Sequence, residues 1–456
     1  MINKIKNNSW KNTFSSLKDW RLLRIGLLGF SSGLPLLLVF GTLSFWLREA
    51  GIERSTIGFI SWIALAYAIK VLWAPLVDQF HLPFLYNNLG RRRSWLFFTQ
   101  VLIIIGLIGM AFTDPKEQLA QAIWLALLVS FSSATQDIAV DAYRIEIADK
   151  RLQGMMAGFY TTGYRLAMFV ASAGALWIAA FFDINESTYE QKPWMMAYIC
   201  MAIFMMIGVL TTLFSPEPEE EILESGKKIN GQGELFIRLT KWFVKAIIKP
   251  FSDFFSRYGY LAILILCLIA TYRVSDIVLG VMSNVFYKDI GFTKDEIALV
   301  SKGFGIYMTI LGALLGGLAV YRFGVMKILL LGAILASGTN LLFSLLAYSG
   351  NDFWLLVLVV GADNLSAGIA SAAFVTYLSA LTNISFSATQ YALFSSIMLL
   401  LPKLLGGFSG VAVDQFGYEL FFILSAIIGI PVFFLIIVAW HKCDVELPKK
   451  ANSISF

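Results

Sequence analysis

Residues 25–47 read IGLLGFSSGLPLLLVFGTLSFWL, a run without a charged side chain. An α-helix needs about 20 apolar residues to cross the roughly 30 Å hydrocarbon core of a bilayer, and this run is long enough. It is too long for the apolar core of a signal peptide and has no small-residue cleavage site. The sequence therefore predicts a retained first transmembrane helix.

Apolar runs of similar length recur along the chain. Hydrophobic residues make up 58% and charged residues 14% of the 456 residues, whereas soluble domains have roughly 45–50% apolar residues. The composition predicts an all-α integral membrane protein with about twelve transmembrane helices, which we number as spans 1 to 12. The predicted spans are 25–47, 57–77, 95–112, 121–143, 155–180, 194–214, 260–282, 297–320, 327–347, 353–379, 388–411 and 419–440.

One long polar break separates spans 6 and 7. It opens with Pro216 and an acidic run, and residues 235–255 then space apolar side chains helically among basic ones. A basic amphipathic helix of this kind is expected to lie along a lipid interface. The break divides the chain into a six-helix half, 1–214, a linker, 215–259, a second six-helix half, 260–440, and a tail, 441–456.

The basic residues favour one side of the membrane. The N-terminal segment, the tail, the linker and alternate loops hold most of the Lys and Arg residues, so the positive-inside rule places both termini in the cytoplasm. The net charge of +5 thus reflects the basic residues on the cytoplasmic side of the membrane and does not indicate nucleic-acid binding. The three cysteines form no disulfide or metal pattern, and we expect neither a metal nor a cofactor.

Several spans contain charged residues, which is costly in hydrocarbon and usually marks a solute or proton pathway. Beyond Lys327 and Glu419, the first residues of spans 9 and 12, spans 3, 6, 9 and 12 are free of them, which predicts that these four lie outermost and that the others surround a polar cavity. The charged residues are Lys70, Asp137, Asp141, Arg144, Arg165, Arg273, Asp276, Lys302, Asp363 and Lys403.

Two alternatives to a pathway stay open for these residues. Asp137, Asp141 and Arg144 share one helix stripe, and Arg273 and Asp276 are i, i+3 neighbours, so both groups are also consistent with structural ion pairs. Arg144 and Lys302 lie near span ends, where a long side chain reaches the headgroups.

Proton exchange is assigned to aspartates, because His81 and His441 lie outside the middle of any span. The predicted proton-coupling residues are Asp137, Asp141 and Asp276. Cations outnumber carboxylates within the spans, which favours an anionic solute, with carboxylates held by Arg165 and Arg273.

Two loops resemble the cytoplasmic loop motif of the major facilitator superfamily. Between spans 2 and 3 stand Asp78, Gly90, Arg91 and Arg92, and between spans 8 and 9 a similar pattern includes Gly317 and Arg322. Recurrence after six helices is typical of two pseudo-symmetric halves related by an axis along the membrane normal. The resemblance implies a gating role for these residues, although basic residues alone also serve as topology anchors.

Four stretches resemble the AmpG-type muropeptide permeases: GFSSGLPLLLVFGTLSFWL (29–47), SSATQDIAVDAYR (132–144), TYRVSD (271–276) and FSATQYALFSS (386–396). The resemblance covers essentially the whole chain. It implies proton-coupled import of anhydromuropeptides across the inner membrane of Gram-negative bacteria by alternating access.

The residues expected to bind substrate or line its path follow from the resemblance and the charge pattern. Gly33 and Ala134 are equally consistent with close helix packing, whereas a substrate contact is favoured for Gln136. The full set is Gly33, Lys70, Ala134, Gln136, Tyr164, Arg165, Arg273, Asp363, Asn364 and Lys403.

Other functions compete with muropeptide import. The same fold is compatible with another anionic solute such as an acyl-coenzyme A, and with a sensor that moves no solute. An enzyme is disfavoured, because the sequence has no paired catalytic motif, metal-ligand spacing or glycine-rich phosphate loop. We expect a monomer whose partners are the lipid bilayer, protons and a small anionic sugar-peptide.

Overall fold

The computed structural model describes residues 16–53, 56, 63, 65–149, 151–183, 189–219, 248–406 and 408–442. All regular secondary structure within these ranges is helical. Most helices are long and apolar, and their lipid-facing surfaces expose residues such as Trp124, Trp177 and Ile263. The fold is therefore an all-α membrane bundle, as the composition predicts.

Eleven helices in the described part of the chain are long and apolar enough to cross a bilayer. Span 2 falls partly outside the described residues, and its described pieces are helical at Leu65–Ile69, Lys70–Leu72 and Ala74–Gln79. The other spans are Trp20–Glu49, Arg91–Phe112, Leu119–Glu146, Gln153–Phe182, Gln191–Phe214, Leu261–Asp289, Leu299–Phe323, Val325–Ser349, Phe353–Leu381, Ile384–Gly406 and Ser409–Lys442.

Spans 1 and 7 are among the spans that are interrupted. Span 1 consists of the helices Trp20–Leu38 and Gly41–Glu49, and span 7 consists of Leu261–Thr271 and Val274–Asp289. Interrupted helices in membranes occur where neighbouring helices or a polar cavity satisfy the freed backbone groups. The break in span 7 places Arg273 immediately before the second helix, which positions its side chain between the two segments.

The two halves meet through two equivalent helix pairs. Span 5 crosses span 8 closely, since a Cβ on Gly158 would lie 2.7 Å from the Ala313 carbonyl oxygen and one on Gly317 would lie 2.7 Å from the Gly154 carbonyl oxygen. Span 2 packs on span 11. Spans 8 and 11 of the second half correspond to spans 2 and 5 of the first half. The 5–8 pair and the 2–11 pair are therefore related by a pseudo-two-fold axis.

One hydrophobic cluster spans the boundary between the halves. It joins first-half residues such as Val77 and Met155 to Ala388 and Ala392 of span 11. We call the end of the bundle where this cluster lies, and where spans 6 and 7 continue into residues 215–260, the linker end. The halves are thus packed together at the linker end.

The interfacial helix predicted for residues 235–255 lies mostly outside the described residues. The described part is the helix Lys249–Tyr258, in which Phe254 is fully buried and its ring lies 5.1 Å from the ring of Phe394. This end of the linker therefore packs on the second half.

Candidate functional site

Asp78 lies at the end of the helix Ala74–Gln79 and joins the two halves. Its Oδ1 accepts hydrogen bonds from Arg92 Nη2 at 2.8 Å and from the Ala388 backbone N–H at 3.1 Å. Its Oδ2 accepts from the Thr389 backbone N–H at 2.8 Å and from Thr389 Oγ1 at 2.6 Å. The first N–H groups of a helix have no partner within that helix and carry partial positive charge. Asp78 of the first half thus caps the span 11 helix of the second half.

Arg92 completes this connection from a fully buried position. Its guanidinium contacts Glu146 Oε1 at 2.6 Å, and its Nη2 also donates to Ser387 Oγ at 2.8 Å. Ser387 Oγ in turn donates to Glu146 Oε1 at 2.5 Å. We call Asp78, Arg92, Glu146, Ser387 and Thr389 the inter-half clamp. Because the hydrogen bonds are charge-assisted and buried, the clamp holds the linker end closed.

The turn before span 3 binds the start of the linker. Glu217 accepts hydrogen bonds from the Arg92 and Arg93 backbone N–H groups at 2.6 and 3.0 Å. Gly90 has a φ of +81°, and a Cβ there would lie 2.5 Å from Glu217 Cγ. Burial raises the pKa of the Glu217 carboxyl, and the two backbone donors act in the opposite direction. Glycine is therefore needed at position 90 for two reasons. The backbone adopts a positive φ there, and a side chain would overlap the Glu217 side chain.

The repeated loop of the second half makes a different contact. Gly317 packs against the Gly154 backbone at the span 5 crossing, and Arg322 is half-buried at the end of span 8. In the first-half loop, Arg91 lies 3.3 Å from Glu146 and so extends the clamp. The sequence repeat thus corresponds to a clamp in one half and to a helix crossing in the other.

Three charged residues of span 4 and one of span 2 form a group deeper in the bundle. Lys70, Asp137 and Asp141 are each less than a tenth exposed, and both aspartates interact electrostatically with Lys70. Asp141 Oδ1 also lies 3.4 Å from Arg144 Nη2. We call Lys70, Asp137, Asp141 and Arg144 the span 4 cluster. The structure therefore brings the predicted proton-coupling residues of the first half beside two cations.

Arg144 connects the span 4 cluster to the second half. The side chain is fully buried, so the headgroup alternative is wrong for this residue. Its Nη1 donates to Ser379 Oγ of span 10 at 2.8 Å, and its guanidinium lies 5.2 Å from the ring centre of Tyr391 in span 11. The side chain of Lys302, for which the same alternative was open, lies outside the described part of the structure.

A second charged group forms around the break in span 7. Arg273 pairs with Asp276 at 2.5 Å and donates to Ser371 Oγ of span 10 at 2.7 Å. Asp363 accepts from Thr339 Oγ1 at 3.3 Å and interacts electrostatically with Asp276. Arg165 of span 5 interacts electrostatically with Arg273 and Asp276. The structure thus places the two arginines predicted to hold substrate near each other, one from each half.

Most of the other predicted path residues lie in helix contacts. A Cβ on Gly33 would come within 2.4 Å of the Tyr164 carbonyl oxygen, and the fully buried Gln136 donates to Ser31 Oγ at 2.6 Å. Ala134 is fully buried as well. Asn364 accepts from Thr309 Oγ1 at 2.8 Å. Lys403 is exposed on span 11, and Tyr164 is half-buried beside Tyr160, with ring centres 6.0 Å apart.

The chain is similar to known proteins over most of its length. The profile of the Major Facilitator Superfamily matches residues 25–275, more than half of the chain. The chain belongs to this superfamily. A Rickettsia conorii protein named "Putative transporter AmpG 4" is 35% identical over 94% of this chain and 98% of its own length. The anhydromuropeptide permease of Escherichia coli K12 is 34% identical over 90% of this chain and 78% of its own length. The chain is therefore an AmpG-type member of this transporter superfamily.

Solved structures show the same fold at low identity. The proton:xylose symporter XylE covers 92% of this chain and 94% of its own length with a TM-score of 0.67 at 14% identity. The Escherichia coli fucose:proton symporter FucP covers 92% and 98% with a TM-score of 0.65 at 10% identity. These likenesses confirm the predicted superfamily fold of two six-helix halves.

Sequence reasoning missed the second-half side of the clamp. Ser387 and Thr389 lie in the SATQ string at residues 387–390, which repeats residues 133–136 without being symmetry-equivalent to them. Glu146, only two residues beyond Arg144, was also missed. Polar residues at the start of an apolar helix are the signal that identifies such positions, because unpaired N–H groups there attract a carboxylate. The sequence does not show that the carboxylate comes from the other half.

Proposed function

We propose that this transporter imports anhydromuropeptides together with protons across the bacterial inner membrane by alternating access. The observation that carries the proposal is the 34% identity to the Escherichia coli anhydromuropeptide permease over 90% of this chain. The two charged groups between the halves support it, since a solute site between two halves is the usual arrangement in secondary transporters.

The charges favour an anionic solute with several carboxylates. Arg165 and Arg273 come from opposite halves and lie near each other, so one carboxylate-bearing peptide can engage both halves at once. A guanidinium binds a carboxylate through two parallel hydrogen bonds. Tyr160 and Tyr164 add aromatic rings beside which a sugar ring can pack. Binding at this position would draw the halves together around the substrate.

The linker end is assigned to the cytoplasm, together with both termini, because the loops there carry most of the basic residues. In this assignment the inter-half clamp closes the cytoplasmic side. Residues 1–214 and 260–440 move as the two halves, residues 215–259 connect them, and residues 441–456 form the tail. The clamp must break each time substrate is released.

Uptake by proteoliposomes tests the proposal. With an inward proton gradient, liposomes containing the protein are expected to accumulate labelled anhydromuropeptide above the external concentration, and a protonophore should abolish accumulation. Accumulation that is insensitive to the protonophore would contradict proton coupling. Competition by unlabelled muropeptide, acyl-coenzyme A and unrelated anions separates the substrate classes, and complete absence of flux for all of them would favour a sensor.

The Asp137→Asn variant tests the assignment of proton coupling. Asparagine keeps the size of the side chain but carries no exchangeable carboxyl proton, and Asp137 is buried beside Lys70. We expect the variant to lose accumulation driven by the proton gradient while it still exchanges labelled for unlabelled substrate at equilibrium. Equal accumulation by Asp137→Asn and the unmodified protein would remove Asp137 from the coupling mechanism.

A further inference from the structure

The surroundings of Arg144 set it apart from the other charged residues between the halves. Its guanidinium is fully buried, and it contacts a carboxylate of its own half, Asp141, as well as Ser379 and Tyr391 of the other half. Gln153 Oε1 accepts a further hydrogen bond from it at 3.3 Å. One cation therefore connects a titratable group to the interface that closes the linker end.

The charges around Arg144 balance only while both carboxylates are ionised. Lys70 faces the cluster from span 2 and Asp137 lies one turn from Asp141 on span 4. The uncharged but titratable Tyr160 and Tyr164 face it from span 5, and Tyr391 faces it from span 11. Two cations thus meet two carboxylates. A proton on Asp141 leaves Arg144 with hydroxyl, amide and aromatic partners alone.

A buried cation that loses its carboxylate partner is strongly destabilised, because its desolvation is no longer offset by ion pairing. Hydration of the guanidinium would offset this loss of ion pairing. Water reaches Arg144 when Ser379 and Tyr391 move away with the second half. Separation of the halves at the linker end therefore becomes more favourable when the charge on Asp141 is lost.

We propose that Arg144 is the positioning residue that converts protonation of Asp141 into opening of the linker end. Ionised Asp141 holds Arg144 in place against Ser379 and Tyr391, which keeps this end closed in the absence of a proton. Protonated Asp141 releases that hold. The proposal rests on the proposed proton-coupled function and adds the residue that connects the proton to the gate.

A cysteine buried between the halves reports the opening. Ala392 of span 11 is 2% exposed and packs in the cluster shared by both halves. We would introduce Ala392→Cys into a chain whose three cysteines, Cys200, Cys267 and Cys443, are replaced by serine, reconstitute it in nanodiscs without substrate, and measure the rate of maleimide labelling relative to a free thiol at each pH.

The expected result is a labelling rate that rises about tenfold as the pH falls from about 8 to about 5, equivalent to about 1.4 kcal/mol in favour of the open state. Arg144→Gln should remove this rise, because the cation that contacts both Asp141 and the second half is then absent. Arg144→Lys should restore part of it. Asp141→Asn should label rapidly at every pH.

Arg151→Gln is the matched control. Arg151 is exposed, and its guanidinium lies 4.7 Å from the ring centre of Tyr321 in the second half. The substitution removes an arginine–tyrosine contact between the halves at the same end of the bundle, away from Asp141. The pH-dependent rise should persist in this variant.

A rise that persists in Arg144→Gln would overturn the Arg144 proposal, even if wild-type uptake is proton-driven. Failure of the wild type to accumulate anhydromuropeptide would instead overturn the proposed function, whatever the labelling shows. If Arg144→Gln does not fold, Asp141→Asn decides the question: rapid labelling at every pH supports the proposal, and a retained pH-dependent rise refutes it.

Discussion

Replacing Asp78 by asparagine is expected to open the linker end of this transporter more than any other single substitution. The carboxylate accepts four hydrogen bonds, one from Arg92 and three from the first turn of span 11. An asparagine amide has one oxygen, and its NH₂ group would face donors. Breaking one side of a buried ion pair costs about 3–5 kcal/mol, which shifts the equilibrium between the closed and open states by roughly 10²- to 4 × 10³-fold.

Maleimide labelling of Ala392→Cys measures this shift directly, and uptake measures its consequence. We expect Asp78→Asn to label rapidly at neutral pH and to lose most proton-driven uptake, since an end that stays open cannot alternate. The control is Asp114→Asn, because Asp114 accepts hydrogen bonds from Tyr189 and the Lys116 backbone at the other end of the bundle. Slow labelling of Asp78→Asn, similar to that of the control, would show that the clamp does not hold the end closed.

Hydropathy predicted the spans well because a membrane helix is defined by its own composition. Spans 3 and 6, predicted at 95–112 and 194–214, end in the structure at Phe112 and Phe214. The break in span 7 was not predicted, because residues 260–282 are apolar on both sides of it. At the break, Arg273 donates to Ser371 of span 10, a contact between distant positions that the local sequence does not show.

The site was predictable as a set of residue types but not as a set of contacts. A charge in a span is unusual enough to be noticed from sequence alone, which is how Asp141 and Arg273 were found. Asp78 and Thr389 are 311 positions apart, and no local pattern connects them. The predicted substrate contact of Gln136 stays a prediction: its Nε2 donates to Ser31 of a neighbouring helix, whereas its Oε1 has no hydrogen-bond partner among the described residues.

The contact between spans 1 and 5 is the tightest helix packing in the first half. Span 1 presents Gly29 and Gly33 to the backbone of span 5, where an added Cβ would lie 2.4 Å from a carbonyl oxygen in each case. Span 5 presents Gly163 in return, and a Cβ there would come within 1.8 Å of the Gly26 carbonyl oxygen and 2.9 Å of the Phe30 nitrogen. The obstructing atoms are backbone, so no side-chain rotation relieves the overlap.

Gly163→Ala is therefore expected to unfold the first half or to separate spans 1 and 5. Overpacking usually costs about 1–3 kcal/mol, and the effect here should exceed that range because two helices must move as units. Gly338→Ala is the matched control, since Gly338 lies inside the span 9 helix with no atom within 4 Å of an added Cβ. There alanine should be neutral or stabilise the helix by about 0.5–1 kcal/mol. Thermal unfolding of both variants in detergent, followed by gel filtration, compares them, and equal stability would show that spans 1 and 5 are not in contact at Gly163.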